Sequence, residues 1–359
     1  MRVLLTPVLA SVFLAAPTVE GAGVNLFGWT CQVDGIFCHP GWLYRYHADG
    51  IHVSFKMWQE PAEVQAAMSA FRSFDGSTLY WIGRDPISAL LQLGNTSTSG
   101  TGTTAPLYTT PLFNWPINTS SGPVSYFHQS LEYAGSLDSL LITGRWSTAA
   151  QTQTVYHLGL FTLDVSTRTT KLLTSTLPPY TDYCMDSHWY DPERNQYQCF
   201  FERKLTSIDL ETGNWTKEVP VEGEGASRAH TFWVECVQRD PHNGRVVGIN
   251  ISNISPSSPA RYHFNFVELI QGSLGGPVLR PISPTWESAS FYCATNTGEQ
   301  HPAFSPGLGW HVIKQLPSPT GSLTHYYFGC NYEQGCPESG QYIDAQFGGA
   351  FTIASVDEA

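Results

Sequence analysis

Histidine and carboxylate residues recur at matching places in four extended segments of the chain. His128 lies in segment 125–131, Asp186 and His188 in 183–190, and His230 in 229–236, while Glu287 immediately precedes 288–293. Asp182 and Arg228 flank two of these segments. If the four segments line a common channel, these side chains converge at one mouth. Imidazole and carboxylate held side by side can act as general base and general acid. On this reading the catalytic candidates are Asp186, His188, His230 and Glu287. The same groups can hold a divalent cation, with His128, Asp186 and His188 as ligands. A water-filled channel also collects polar side chains to which no chemistry attaches. No other cofactor is implied. The chain has no His-Glu-x-x-His, no Gly-x-Ser-x-Gly, no P-loop and no Gly-x-Gly-x-x-Gly opening a helix.

The elements that would position these residues are short strands and tight turns. Trp189-Tyr-Asp-Pro-Glu-Arg-Asn-Gln-Tyr-Gln-Cys-Phe-Phe reads as two alternating strands around an Asp-Pro turn. Related turns fall at Asp75, Gly135, Asp240 and Ser305. With Asp191 they recur at intervals of roughly 50 to 65 residues, a blade-like period lengthened by loops. A second pattern pairs Leu160-Phe-Thr-Leu-Asp-Val-Ser-Thr with Leu205-Thr-Ser-Ile-Asp-Leu-Glu-Thr-Gly. In both, an alternating strand ends at an aspartate whose side chain can bond the turn amides. Over residues 73–315 the chain resembles β-propeller repeats in general, with no specific family marked. The resemblance implies an all-β fold, a single β-propeller of five to seven blades occupying residues 22–359. Two β-sandwich domains, divided near residue 175, are the alternative. One short N-terminal helix is expected from Pro61, with Val64, Ala67, Met68 and Phe71 forming one apolar stripe.

Composition bounds the compartment and the partners. The 359 residues carry a formal net charge of −12 with only 13% charged residues. That balance argues against nucleic acid and against anionic membranes. Residues 1–21 have the layout of a signal peptide, a basic start followed by an apolar run too short to span a bilayer. No second apolar run suggests a membrane span. Eight cysteines fit an oxidising compartment: Cys31, Cys38, Cys184, Cys199, Cys236, Cys293, Cys330 and Cys336. Cys31 with Cys38, and Cys330 with Cys336, would close short loops. The four central cysteines allow three pairings, of which Cys184 with Cys199 and Cys236 with Cys293 is one. Glycosylation sequons stand at Asn95, Asn118, Asn214, Asn250 and Asn253. Together these features imply a secreted, disulfide-bonded, N-glycosylated binding module for an extracellular glycan or protein. The alternative is a secreted propeller enzyme, a hydrolase or lyase using the His/Asp/Glu residues of the channel mouth.

Overall fold

A computed structural model describes the strand backbones at 24–34, 37–48, 53–59, 78–84, 91–97 and 104–108. From residue 126 to 358 it describes all but 151–152, 168, 176, 178–186, 217, 224–231, 254–261, 274, 289–301, 318–322, 338–339 and 344–349. The expected signal peptide and the helix at Pro61 lie outside the described residues. Among the described residues there is no α-helix; one 3-10 turn spans Gly135–Leu137.

The strands form sheets whose members are consecutive in the chain. β1 (Val24–Asp34), β2 (Phe37–Ala48) and β3 (Val53–Gln59) form the first. β4 (Thr78–Arg84), β5 (Leu91–Ser97) and β6 (Thr104–Tyr108) form the second. The third is β7 (Tyr126–Ala134), β8 (Ser139–Ala150), β9 (Gln153–Asp164) and β10 (Thr170–Thr174). The fourth is β11 (His188–Asp191), β12 (Gln196–Phe201), β13 (Lys204–Asp209) and β14 (Val219–Pro220). The fifth holds β15 (Glu222–Gly223), β16 (Phe232–Arg239), β17 (Val246–Asn253), β18 (Tyr262–Gln271), β19 (Pro277–Pro281) and β20 (Trp286–Ser288). The sixth is β21 (Ala303–Ser305), β22 (Gly309–Pro317), β23 (Leu323–Asn331) and β24 (Gln341–Ile343). β25 (Ala350–Glu358) returns to pair antiparallel with β1 and completes the first sheet.

This is a β-propeller arrangement. Apart from β15 beside β19, β20 beside β18 and β25 beside β1, paired strands follow one another in the chain, unlike the crossed connections of two sandwiches. The expected count of five to seven blades is corrected. Four sheets are regular four-stranded blades; the second has three strands and the fifth has six. A turn marks a hairpin, and a hairpin does not say how many strands its sheet has.

The core lies in the seams between sheets, and strand alternation explains how. Successive side chains point to opposite faces, so each sheet feeds both of its neighbours. Tyr190, Tyr197 and Ile208 pack against Leu141, Leu158 and Leu160 of the third sheet. Trp189, next to Tyr190, and Phe200, next to Cys199, face the other way, onto Val234, Val237 and Val267 of the fifth. Val247, Ile249 and Phe266 then meet Phe304, Trp310 and Phe328 of the sixth. Each large apolar side chain buried this way contributes about 1.5–3 kcal/mol.

The turns follow the sequence grammar closely. Asp191 Oδ1 accepts the amides of Glu193 and Arg194 at 3.0 and 3.2 Å. Asp209 Oδ1 accepts those of Glu211 and Thr212 at 3.1 and 2.7 Å. Those bonds, the Thr212 amide first, hold the Asp209 carboxyl below its ordinary pKa. The turns β7–β8, β11–β12, β16–β17 and β21–β22 each carry a left-handed residue: Asp138, Asn195, Gly244 and Leu308. Gly213, at φ 73°, is required twice over, since a Cβ there would also strike the carbonyl of Leu173 on the neighbouring sheet.

Cys330 and Cys336 are joined, as the short loop suggested. Cys199 and Cys236 each take part in a disulfide, with no bond between the two shown, and no described cysteine is free. Cys184 and Cys293 lie outside the described residues. Cys31 and Cys38 sit on the β1–β2 hairpin by their backbone alone.

Candidate functional site

Of the channel residues, His188 is the one whose side chain is described. It opens β11 and is fully buried, its ring stacked on Tyr197 at 5.8 Å. Its Nε2 lies 3.8 Å from Glu132 Oε2 on β7. The other oxygen of Glu132 accepts the Tyr190 amide at 3.5 Å. Ser187 Oγ accepts the Val237 amide at 3.0 Å and ties β11 to β16. His188 therefore stands in the wall between two inner strands. Its acidic neighbour Glu132 was not among the residues singled out from the sequence. Glu132 comes from a different sheet, so no local spacing reveals the pair.

Two other channel candidates are placed by backbone alone. His128 lies on β7 and Glu287 on β20 by their backbones. β20 pairs with β18, Glu287 opposite His263, so Glu287 belongs to a late edge strand and not to a first strand. Asp186 and His230 are outside the described residues. No group of three or more His, Cys, Asp or Glu that could hold a metal ion occurs among the described residues.

A second array crosses the sixth sheet. Ser305 Oγ lies 2.8 Å from His311 Nε2, and His311 Nδ1 lies 2.7 Å from Tyr327 Oη. Burial lowers the pKa of His311 to about 4, so the ring is neutral at neutral pH. Burial raises that of Tyr327, which stays protonated. Ser305 donates to the Pro306 carbonyl at 3.4 Å. The consistent assignment has Nε2–H donating to Ser305 and Tyr327 donating to Nδ1. The serine is then an acceptor from the imidazole, the reverse of an activated nucleophile. All three side chains are buried, and a Cβ at Gly309 would strike Ser305 Oγ. The array fastens three strands together. The sequence showed this stretch only as a repeated turn at Ser305.

A cleft of about 520 Å³ opens between the fourth and fifth sheets, inside the usual range for small-ligand sites of roughly 300–1,000 Å³. Its fourth-sheet wall is a polar ladder. Ser207 Oγ donates to Gln198 Oε1 at 2.5 Å, and Gln198 Nε2 donates to Gln196 Oε1 at 3.0 Å. Trp189 backs this wall at 3% exposure, too little to offer a face for stacking. The fifth-sheet wall carries Arg239, Asn243, Arg245, Glu268 and Gln271. Arg245 grips Glu268 through two bonds of 2.9 and 3.2 Å and reaches Glu333. Arg280 adds a third bond to Glu268 at 2.8 Å. Burial alone would raise the Glu268 pKa, but the arginine bonds outweigh it and hold the carboxyl below its usual range.

Strand register explains why this seam is open. The first residue past the third strand is Leu210 in the fourth sheet and Tyr332 in the sixth. Leu210 donates its amide to the Asn195 carbonyl and Tyr332 to that of Leu308, and both side chains plug the seam with the preceding sheet. In the fifth sheet Val247 faces Glu268, and the same register carried on puts Gln271 opposite Gly244. Gln271 is polar, exposed and bonded to the Gly275 carbonyl. The plug is missing, and the cleft is what remains.

Two sequons have described side chains. Asn214 is exposed beside Trp215. Asn250 is 5% exposed and donates to Asn265 Oδ1 at 2.7 Å inside the fifth sheet; a glycan there would break that pair.

No family model and no curated protein sequence matches the chain. Similar solved structures include the hydrazine synthase of Kuenenia stuttgartiensis, at 9% identity and a TM-score of 0.40, over 93% of this chain and 47% of that one. Dipeptidyl peptidase 4 of Porphyromonas gingivalis matches at 10% identity and 0.36, over 88% and 50%. The chain spans about half the length of these two. The GH43 endo-arabinanase of Bacillus licheniformis matches at 12% identity and 0.35, over 78% and 99%. Matches of this strength assign no activity.

Proposed function

We propose that the protein is a secreted propeller module that binds an extracellular glycan in the cleft between its fourth and fifth sheets. The observation that carries this reading is the open seam, walled by Gln196, Gln198, Ser207 and Asn243. Amides and hydroxyls at the edge of a concave site match the alternating donors and acceptors of a sugar. The expected signal peptide, the disulfide-bonded cysteines and an exposed sequon at Asn214 suit the same compartment. A glycan array probed with the secreted protein tests it. Binding should weaken about tenfold or more in Gln198→Leu, as expected when a buried polar partner is lost, in a protein whose unfolding transition shows that it is still folded. Retention of no glycan would contradict the reading.

The second reading is a propeller hydrolase or lyase, favoured by the placement of His188 beside Glu132. It predicts release of new reducing ends from a polysaccharide panel, lost in Glu132→Gln. Absence of such release in the wild type rejects it.

A further inference from the structure

We propose that the cleft selects an acidic saccharide and that Arg239 receives its carboxylate; this rests on the reading of the cleft as a glycan site. Three arginines and three carboxylates line it: Arg194, Arg239, Arg245, Asp191, Glu193 and Glu268. Most of this charge is already spent inside the protein. Asp191 holds two turn amides and the Arg194 guanidinium at 2.8 Å. Glu268 takes three arginine bonds, and Arg245 is held by Glu268 and Glu333.

Arg239 differs. Its side chain is only 19% exposed, and its one ionic contact is with Glu193 at 4.0 Å. Glu193 is itself 79% exposed, so water screens that contact heavily. The guanidinium rests against Gly244, where a Cβ would come within 2.8 Å of Nη2. The turn is therefore shaped to seat this cation at the cleft wall. A guanidinium so far withdrawn from water, with its fork of donors unfilled, is ready for a planar anion. Carboxylate fits that fork with two parallel bonds. The neighbouring Gln196 has only its Oε1 engaged, by Gln198, so its amide nitrogen remains for a ring hydroxyl.

The test is calorimetric titration of the full secreted protein with an oligogalacturonide and with the same oligosaccharide reduced at its carboxyls. The acid form should bind about tenfold or more tightly, as a charge-assisted bond implies. That preference should shrink as salt rises from about 50 to about 500 mM. Arg239→Gln should bring acid binding down to the level of the reduced sugar, so that the ratio of the two affinities falls to about one. Arg239→Lys keeps the charge without the fork and should fall between the two. The thermal midpoint of each variant confirms folding. An unchanged acid preference in Arg239→Gln overturns the inference, as does a wild type with no acid preference. A stronger preference for a sulfated oligosaccharide overturns the carboxylate assignment. Binding of neutral glycans alone refutes the inference and leaves the cleft reading standing; binding of no glycan refutes both.

Discussion

The seam between the fifth and sixth sheets and the seam between the fourth and fifth are built from the same parts and end differently. In the first, Tyr332 leaves the third strand, sinks into the aromatic cluster, and fixes the opposite turn. Its hydroxyl donates to Asp240 Oδ2 at 2.9 Å and accepts from Asn243 Nδ2 at 2.6 Å. Arg245 lies over its ring at 5.1 Å, and the Cys330–Cys336 bridge closes the loop around it. In the second, Gln271 holds the matching place and the seam stays open. One position in the register decides whether a seam is core or cleft. Apolar patterning makes the blades, and one departure from it makes the candidate site.

The largest expected effect follows from breaking the closed seam. Tyr332→Ala should cost about 3–5 kcal/mol, since it empties a large buried volume. Tyr332→Phe should cost about 1–2 kcal/mol, by losing only the hydrogen bonds. Denaturant midpoints measure both.

Next comes acid sensitivity in the same half of the molecule. Burial lowers the folded pKa of His311 to about 4, against the ordinary 6.5. The unfolded chain therefore binds the proton first, and stability is present above about pH 6.5 and lost as pH falls toward 4. The loss should reach about 3 kcal/mol. Carboxylates add to it in the same direction, so the informative quantity is the difference from His311→Gln. That variant should show a flatter stability profile between those pH values.

A smaller effect is expected at Gly213, in the turn of the fourth sheet that sits against the third. Gly213→Ala combines left-handed strain with a clash on Leu173 and should cost about 1–2 kcal/mol. A thermal midpoint unchanged from wild type would show that the Gly213–Leu173 contact is not needed.

Much of this fold was readable in the chain. The Asp-Pro turn at Asp191 and the Asp209-to-Gly213 turn form as their residue types demand, and Trp189 and Tyr190 alternate between two cores. Blade number was not readable, because the fourth strands are short or replaced: β14 has only Val219 and Pro220. The site was not readable either. His188 meets Glu132 from another sheet, and the cleft joins Gln198 to Arg239 across a seam. Gln271 matters only through its place opposite Gly244, which requires the strand register. One signal was present all the same. Asp164 and Asp209 are each followed by an apolar residue, Val165 and Leu210, and Asn331 by Tyr332, whereas the fifth sheet offers Gln271 and then Gly272.

The most direct measurement fills the cleft with the side chain that closes the neighbouring seam. Glycan affinity of Gln271→Tyr, determined by calorimetry beside its unfolding midpoint, separates binding from stability. Loss of glycan binding by about a hundredfold or more, with a midpoint equal to or above wild type, is the expected result. Undiminished binding in a fully folded Gln271→Tyr protein would contradict the assignment of the cleft.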